Sequence, residues 1–143
     1  MKLDKWMQSD LGSCKANYIM FLFRVLVSIE LIVVHGFKKL GIGTDTAEIV
    51  ANPFGLPYLL NEFLAITANV ICPLFIIVGF ATRFACIPIV VVTLTGYFFV
   101  HATGTLMERD IPFMYAMAFL LIAFTGGGRY SVDNIIYESQ KKI

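Results

Sequence analysis

Residues 18 to 40 form one long apolar run that nevertheless carries Arg24, Glu30, His35, Lys38 and Lys39. A run of this length is what a helix needs to cross a hydrocarbon core about 30 Å thick. An ionised carboxylate near its middle costs at least about 2.5–3.5 kcal/mol. Glu30 therefore needs water or protein beside it, or it stays protonated and hydrogen-bonded to another helix. At 100° per residue, Arg24, Ser28, Leu31, His35 and Lys38 fall within an arc of roughly 80°, a polar stripe on one face. Glu30 lies roughly 120° from Arg24 and six residues on, so it is not an i,i+4 partner of that arginine. Lipid cannot surround every face of such a helix.

Composition extends this to the whole chain. The 143 residues suffice for one domain, and 58% are hydrophobic against 15% charged, with a mean hydropathy of +0.78. A soluble domain of this size could not bury that much apolar surface, so the chain reads as an all-α, multispanning membrane protein with the lipid bilayer as its first partner. A net charge of +1, with no Lys or Arg cluster interleaved with aromatics, excludes nucleic acid. Asp4 and Asp10 stand among the lysines of the first 17 residues, which therefore do not read as a secretory signal. The segment reads instead as interfacial, with Trp6 at headgroup depth. Cys14, Cys72 and Cys86 make no C-x-x-C and no metal-ligand spacing. Cys72 and Cys86 are expected at depths roughly 8 Å apart, too far for a disulfide, and serve as small apolar packing groups.

In order, helices are expected at about 18–39, 58–80, 84–101 and 111–126, in a single domain over 1–143. Between the first two, Thr44-Asp45 is a possible cap for a short helical turn through Ala51, and Asn52-Pro53 and Gly55-Leu-Pro57 read as turns. Glu62 and Asn69 share one face of the second helix, where Pro73 predicts a kink that frees the Asn69 carbonyl. Thr82-Arg83 is a tight connection, and residues 102–110 read as a polar loop. Pro112 suits the first turn of the fourth helix. Gly126-Gly-Gly128 ends that helix, and Ser131 or Asp133 caps a short amphipathic tail.

Four spans place both termini on one side. That side holds Lys2, Lys5, Lys15, Arg83, Arg129, Lys141 and Lys142, against Lys38, Lys39 and Arg109 on the other, so the termini are expected in the cytoplasm. Both histidines then fall in one layer near the non-cytoplasmic side, where His35 and Lys38 end the first helix, Glu62 opens the second, His101 ends the third, and Glu108 and Asp110 precede the fourth. Glu30, Asn69, Thr93 and Tyr97 form a second polar layer below it. Together they suggest a cavity open to the outer leaflet or periplasm. The plain alternative is that the histidines are interfacial, the lysines and Arg24 snorkel, and the 13 phenylalanines face lipid or pack.

Several stretches in order resemble the DoxX family of small four-helix bacterial membrane proteins. These are Arg24 with His35-Gly-Phe-Lys38, Gly55-Leu-Pro57, Gly79-Phe-Ala-Thr82-Arg83, Val100-His101-Ala, the Asp110 to Tyr115 spacing, and Gly128-Arg-Tyr-Ser-Val-Asp133. The resemblance covers about residues 20 to 135. It implies a bacterial cytoplasmic (inner) membrane protein similar to DoxD, the membrane subunit of thiosulfate:quinone oxidoreductase, exchanging electrons with quinone or anchoring a soluble redox protein. This chain departs from the family pattern at Asn69, where a glutamate is frequent, and at Cys72-Pro73, where small glycines often sit. Glu30 is the residue that would supply the missing carboxylate.

The leading expectation is a quinone-dependent oxidoreductase subunit. His35, Glu62, His101 and Asp110 are the candidate catalytic residues, and Arg24, Glu30, Lys38, Asn69, Tyr97 and Tyr115 line the binding site. Quinone reduction needs a lipid-accessible slot, a hydrogen-bond donor to each carbonyl and a proton source. No flavin or iron–sulfur motif is present, so electrons come from a partner or a bound cofactor. A non-enzymatic scaffold, haem or metal ligation through His35 and His101, and small-molecule transport are the alternatives. The absence of a detectable inverted repeat disfavours transport. A homo-oligomer stays open, although Gly96 belongs to no Gly-x-x-x-Gly pattern.

Overall fold

The computed structural model describes residues 12–141 and is helical, with no strand among them. The interfacial reading of Trp6 lies outside these residues. Helix α1 spans Cys14–Lys39, α2 Tyr58–Val78 and α3 Thr82–Val100. α4 spans Leu106–Thr125 and α5 Val132–Lys141. The first three are long and apolar enough to cross a membrane. α4 has 20 residues, but Glu108, Arg109 and Asp110 occupy its first two turns and shorten its apolar length.

Several boundaries differ from the sequence expectation. α2 stops at Val78 and α3 starts at Thr82, so the tight connection falls at 79–81 and Thr82-Arg83 opens α3. α1 begins four residues earlier, at Cys14, and the loop after it holds no helical turn before Ala51. α4 starts at Leu106, so most of the expected polar loop is helix. The cause is a capping box: the Thr105 hydroxyl accepts from the Glu108 amide at 3.4 Å, and the Glu108 carboxylate accepts from the Thr105 amide at 3.0 Å. Pro112 consequently sits within the helix rather than in its first turn.

All four long helices meet in one core. Leu31 comes from α1, Cys72 and Ile76 from α2, Ala85, Cys86 and Ile89 from α3, and Phe119 and Ile122 from α4. Cys72 and Cys86 thus occupy the same cluster, and both are free thiols. Outward, Ile19, Leu26, Leu59, Phe63, Leu74 and Phe124 lie exposed. That inversion suits a bundle whose solvent is hydrocarbon.

One end of the bundle is closed by a polar lock. Here the α2–α3 turn, the start of α5 and the first half of α1 converge. α2 ends in a Schellman motif, with Gly79 left-handed at φ 78 and Phe80 N–H bonded to the Phe75 carbonyl at 3.0 Å. A Cβ at Gly79 would lie 2.5 Å from Ser131 Cβ, so only glycine admits the tail there. Asp133 grips the start of α3 by accepting from the amides of Ala81 at 2.7 Å and Thr82 at 2.9 Å. The tail helix is capped by Ser131, which accepts from the Asn134 amide at 3.2 Å. Arg24 is fully buried and donates to the carbonyls of Ile76, of Ile77 at 3.0 Å and of Tyr130 at 2.5 Å. It is a fastener of α1, α2 and the tail, which corrects its assignment to the binding site.

Candidate functional site

The opposite end is where α1 and α3 finish and α2 and α4 begin. Three of the four long helices widen there into π-turns, Ile32–Gly36 in α1, Thr67–Ile71 in α2 and Gly96–Val100 in α3. Such turns insert one residue into the helical ladder and redirect side chains, and they concentrate at functional sites. His35 lies in the first, Asn69 in the second, and His101 directly follows the third. The α2 turn ends just before Cys72-Pro73, so the disturbance expected from Pro73 takes the form of a π-turn. The Asn69 carbonyl faces α1 so closely that a Cβ at Gly36 would lie 2.8 Å from its oxygen.

Between these turns is a cavity of about 400 Å³ lined by His35, Lys39, Glu48, Asn69, Thr93, His101, Glu108 and Tyr115, with Leu31, Val92, Ile111 and Pro112 among its apolar walls. The His35 and Tyr115 rings meet edge to face, with centroids 5.2 Å apart at 88°. Some polar groups in the wall are already satisfied. Thr93 donates to the carbonyls of Ile89 at 2.8 Å and Val90 at 3.1 Å, and the Asn69 amide donates to Ala65 at 2.7 Å. The two imidazoles and the Tyr115 hydroxyl make no hydrogen bond to protein among the described residues, which leaves them available to a ligand.

Of the residues singled out in the sequence, the structure therefore brings together His35, His101, Asn69, Tyr115, Thr93 and Glu108. It separates the others. Lys38 is exposed, and the neighbouring Lys39 turns inward instead, because the polar stripe drifts where the π-turn adds a residue. Glu62 is half-buried on α2 but lines neither this cavity nor the one beside it; Asn61 takes the inward position. The Arg109 guanidinium carbon lies 4.5 Å from the Tyr97 ring centroid, and Tyr97 shares a smaller recess of about 140 Å³ with Asp110. Glu30 is exposed and does not line the cavity, although its charge is felt by both His35 and Tyr115. The carboxylates that do line it are Glu48 and Glu108.

Glu48 was not legible as a site residue. It arrives on the 41–57 loop, which folds back over the mouth. The Glu48 amide bonds the Lys38 carbonyl at 3.0 Å, and its carboxylate lies 3.4 Å from Lys39 Nζ. The loop is held further by Asn61, which donates to the carbonyls of Val50 at 3.3 Å and Ala51 at 3.2 Å, and by Phe54 packed on Phe99 at 5.0 Å. Asn52 bonds Leu56 in both directions, at 2.6 and 2.9 Å, around the turn.

A family model described as DoxX matches residues 19–102, more than half of the chain. The chain belongs to the DoxX family. Its matched region runs from the first turns of α1 to just beyond His101, and so includes both histidines and the 41–57 loop. An uncharacterized protein of Haemophilus influenzae is 27% identical over 89 residues, 59% of this chain and 59% of that relative's length. No solved structure matches. Family membership and three apolar helices of membrane-crossing length make this an integral membrane protein.

No group of three or more metal-ligating side chains occurs among the described residues. The cavity instead offers donors of two kinds, imidazole and phenol, with a lysine and two carboxylates within the same walls. That set can hold a polar ring by its carbonyls and exchange protons with it.

Proposed function

We propose that this DoxX-family chain is a quinone-linked redox protein, or the membrane subunit of an oxidoreductase, and that the cavity between His35, His101 and Tyr115 receives the quinone head group. The observation that carries this reading is the placement of three hydrogen-bond donors without protein acceptors in one cavity of about 400 Å³, the size range of small-molecule sites. Quinone reduction consumes two electrons and two protons. The residues of this chain would bind and orient the carbonyls and hold protons: His35 and Tyr115 on one wall, His101 on the other, and Glu108 and Glu48 at the mouth as carboxylates able to relay protons. Electrons would come from a soluble redox partner or a bound cofactor.

In this reading the chain is one domain with four crossings of the bacterial inner membrane and both termini in the cytoplasm. α4 shares its core with the three apolar spans, which supports a fourth crossing with its charged first turns at the interface. Lys15, Arg83, Arg129 and Lys141 cluster at the locked end, against Lys38, Lys39 and Arg109 at the cavity end, which supports a cytoplasmic lock and a cavity facing outward.

The test is quinone binding to the purified chain together with quinol turnover in host membranes. Tyr115→Phe and His35→Ala should each weaken binding about 10-fold, the loss of one good hydrogen bond to the head group. Wild-type protein that neither binds quinone nor alters turnover sinks the reading. Because the same two imidazoles could ligate haem, a visible absorption spectrum of the purified protein separates the two: a Soret band assigns the cavity to haem.

A further inference from the structure

A second cavity, of about 430 Å³, lies beneath the 41–57 loop and against α2 and α3. It shares Lys39, Glu48, Val92, Gly96 and His101 with the first, so the two are adjoining chambers with a common wall. We propose that this second chamber holds the apolar tail of the ligand whose head occupies the first, and that the ligand is admitted sideways from the bilayer between α2 and α3. The proposal rests on the quinone reading and assigns to that site a class of substrate, a quinone bearing an isoprenoid or alkyl tail.

Three observations support it. The chamber is walled by Val50, Phe54, Leu56, Leu64, Val91 and Val100, an apolar surface beyond the shared polar rim. Two of its polar members are committed elsewhere: Lys39 faces Glu48, and the Asn61 amide is held by the Val50 and Ala51 carbonyls. Away from the wall shared with the first chamber, where His101 stands, Thr95 adds one hydroxyl to an otherwise apolar lining, so hydrocarbon fits most of this surface and a polar segment would find few partners. Leu64, Val91 and Val100 also reach the outer surface, at 43%, 57% and 41% exposure, so the chamber opens onto the face that meets lipid chains. Gly96 stands in the wall common to both chambers, where the missing side chain leaves room between head and tail.

The experiment compares two quinones with the same ring, one with a ten-carbon tail and one with a methyl group, titrated into the full chain in detergent. Two variants narrow the second chamber alone: Ala65→Phe at a buried wall position, and Leu64→Trp at a peripheral one that the fold tolerates more readily. The tailed quinone is expected to bind at least about 10-fold more tightly to wild type. Either folded variant should reduce it to the level of the methyl compound while leaving the methyl compound unchanged. Equal binding of both compounds to wild type, or a preference for the tail that survives both substitutions, overturns the tail chamber and leaves the head-group reading standing. Displacement of a co-purified phospholipid by neither compound's tail assigns the chamber to membrane lipid and likewise overturns it. Failure of both quinones to bind removes the head-group reading and the tail chamber with it.

Discussion

The Lys39 ammonium lies 3.4 Å from the Glu48 carboxylate at the wall common to both chambers. The lysine side chain is 13% exposed and the glutamate 50%, so the pair holds a loop rather than the bundle. A partly exposed ion pair of this kind contributes at most about 1 kcal/mol. Glu48→Gln should leave the unfolding temperature nearly unchanged in detergent while amide hydrogen exchange across 41–57 quickens several-fold. A collapse in global stability would show that the loop is part of the core.

Arg24 is expected to be the costliest single position outside the apolar core. Arg24→Met removes the side-chain donor from three carbonyls, of which that of Ile76 keeps the Gly79 amide at 3.1 Å, and should destabilise the protein by roughly 3–5 kcal/mol. Arg24→Lys should recover only part of the loss, because one ammonium cannot reach acceptors on α2 and on the tail as the planar guanidinium does. Thermal unfolding in detergent of the two variants decides between this role and a ligand-binding one, which would spare stability.

At the same end, Ala81 and Asp133 should respond in opposite directions. Ala81 is left-handed, at φ 47, a conformation that costs a residue with a Cβ about 1–2 kcal/mol. Part of the relief in glycine is returned through the freer unfolded chain. Ala81→Gly is therefore expected to be neutral or stabilising by up to about 1 kcal/mol. Asp133→Ala removes the carboxylate that caps α3 and should cost about 1–2 kcal/mol. Parallel melting curves check both signs.

Gly36→Ala tests the contact between two π-turns. The added methyl would press on the Asn69 carbonyl at 2.8 Å and on the Val70 side chain at 3.0 Å, so α1 and α2 must part. Overpacking of this kind costs about 1–3 kcal/mol. The variant should also weaken ligand binding more than its loss of stability suggests, since His35 and Asn69 stand on either side of the displaced contact.

The helices were legible because apolar runs of membrane-crossing length tolerate little else. Their ends were less so. The T-x-x-E at Thr105 to Glu108 is a readable signal for the start of α4, though less conspicuous than Pro112. At the site, His35 and His101 could be brought to one layer by counting spans, because depth in a membrane bundle follows from position along each helix. Which face a side chain takes did not follow. A regular 100° step assigns Lys38 to the polar stripe, whereas the π-turn at Ile32–Gly36 rotates the helix beyond it and delivers Lys39. The same limit applies to Glu62 and Asn61. Glu48 depends on how a loop of about seventeen residues folds back, which no local pattern encodes.

The most direct measurement is photo-crosslinking with a quinone carrying a photoreactive group on its ring, followed by peptide mapping of the labelled chain. Label is expected within 31–39, 92–101 and 108–115, the three stretches that enclose His35, His101 and Tyr115, and excess unmodified quinone should abolish it. Label confined to outward positions such as Leu26, Leu59 or Phe124, and insensitive to competitor, would contradict a quinone site in this cavity.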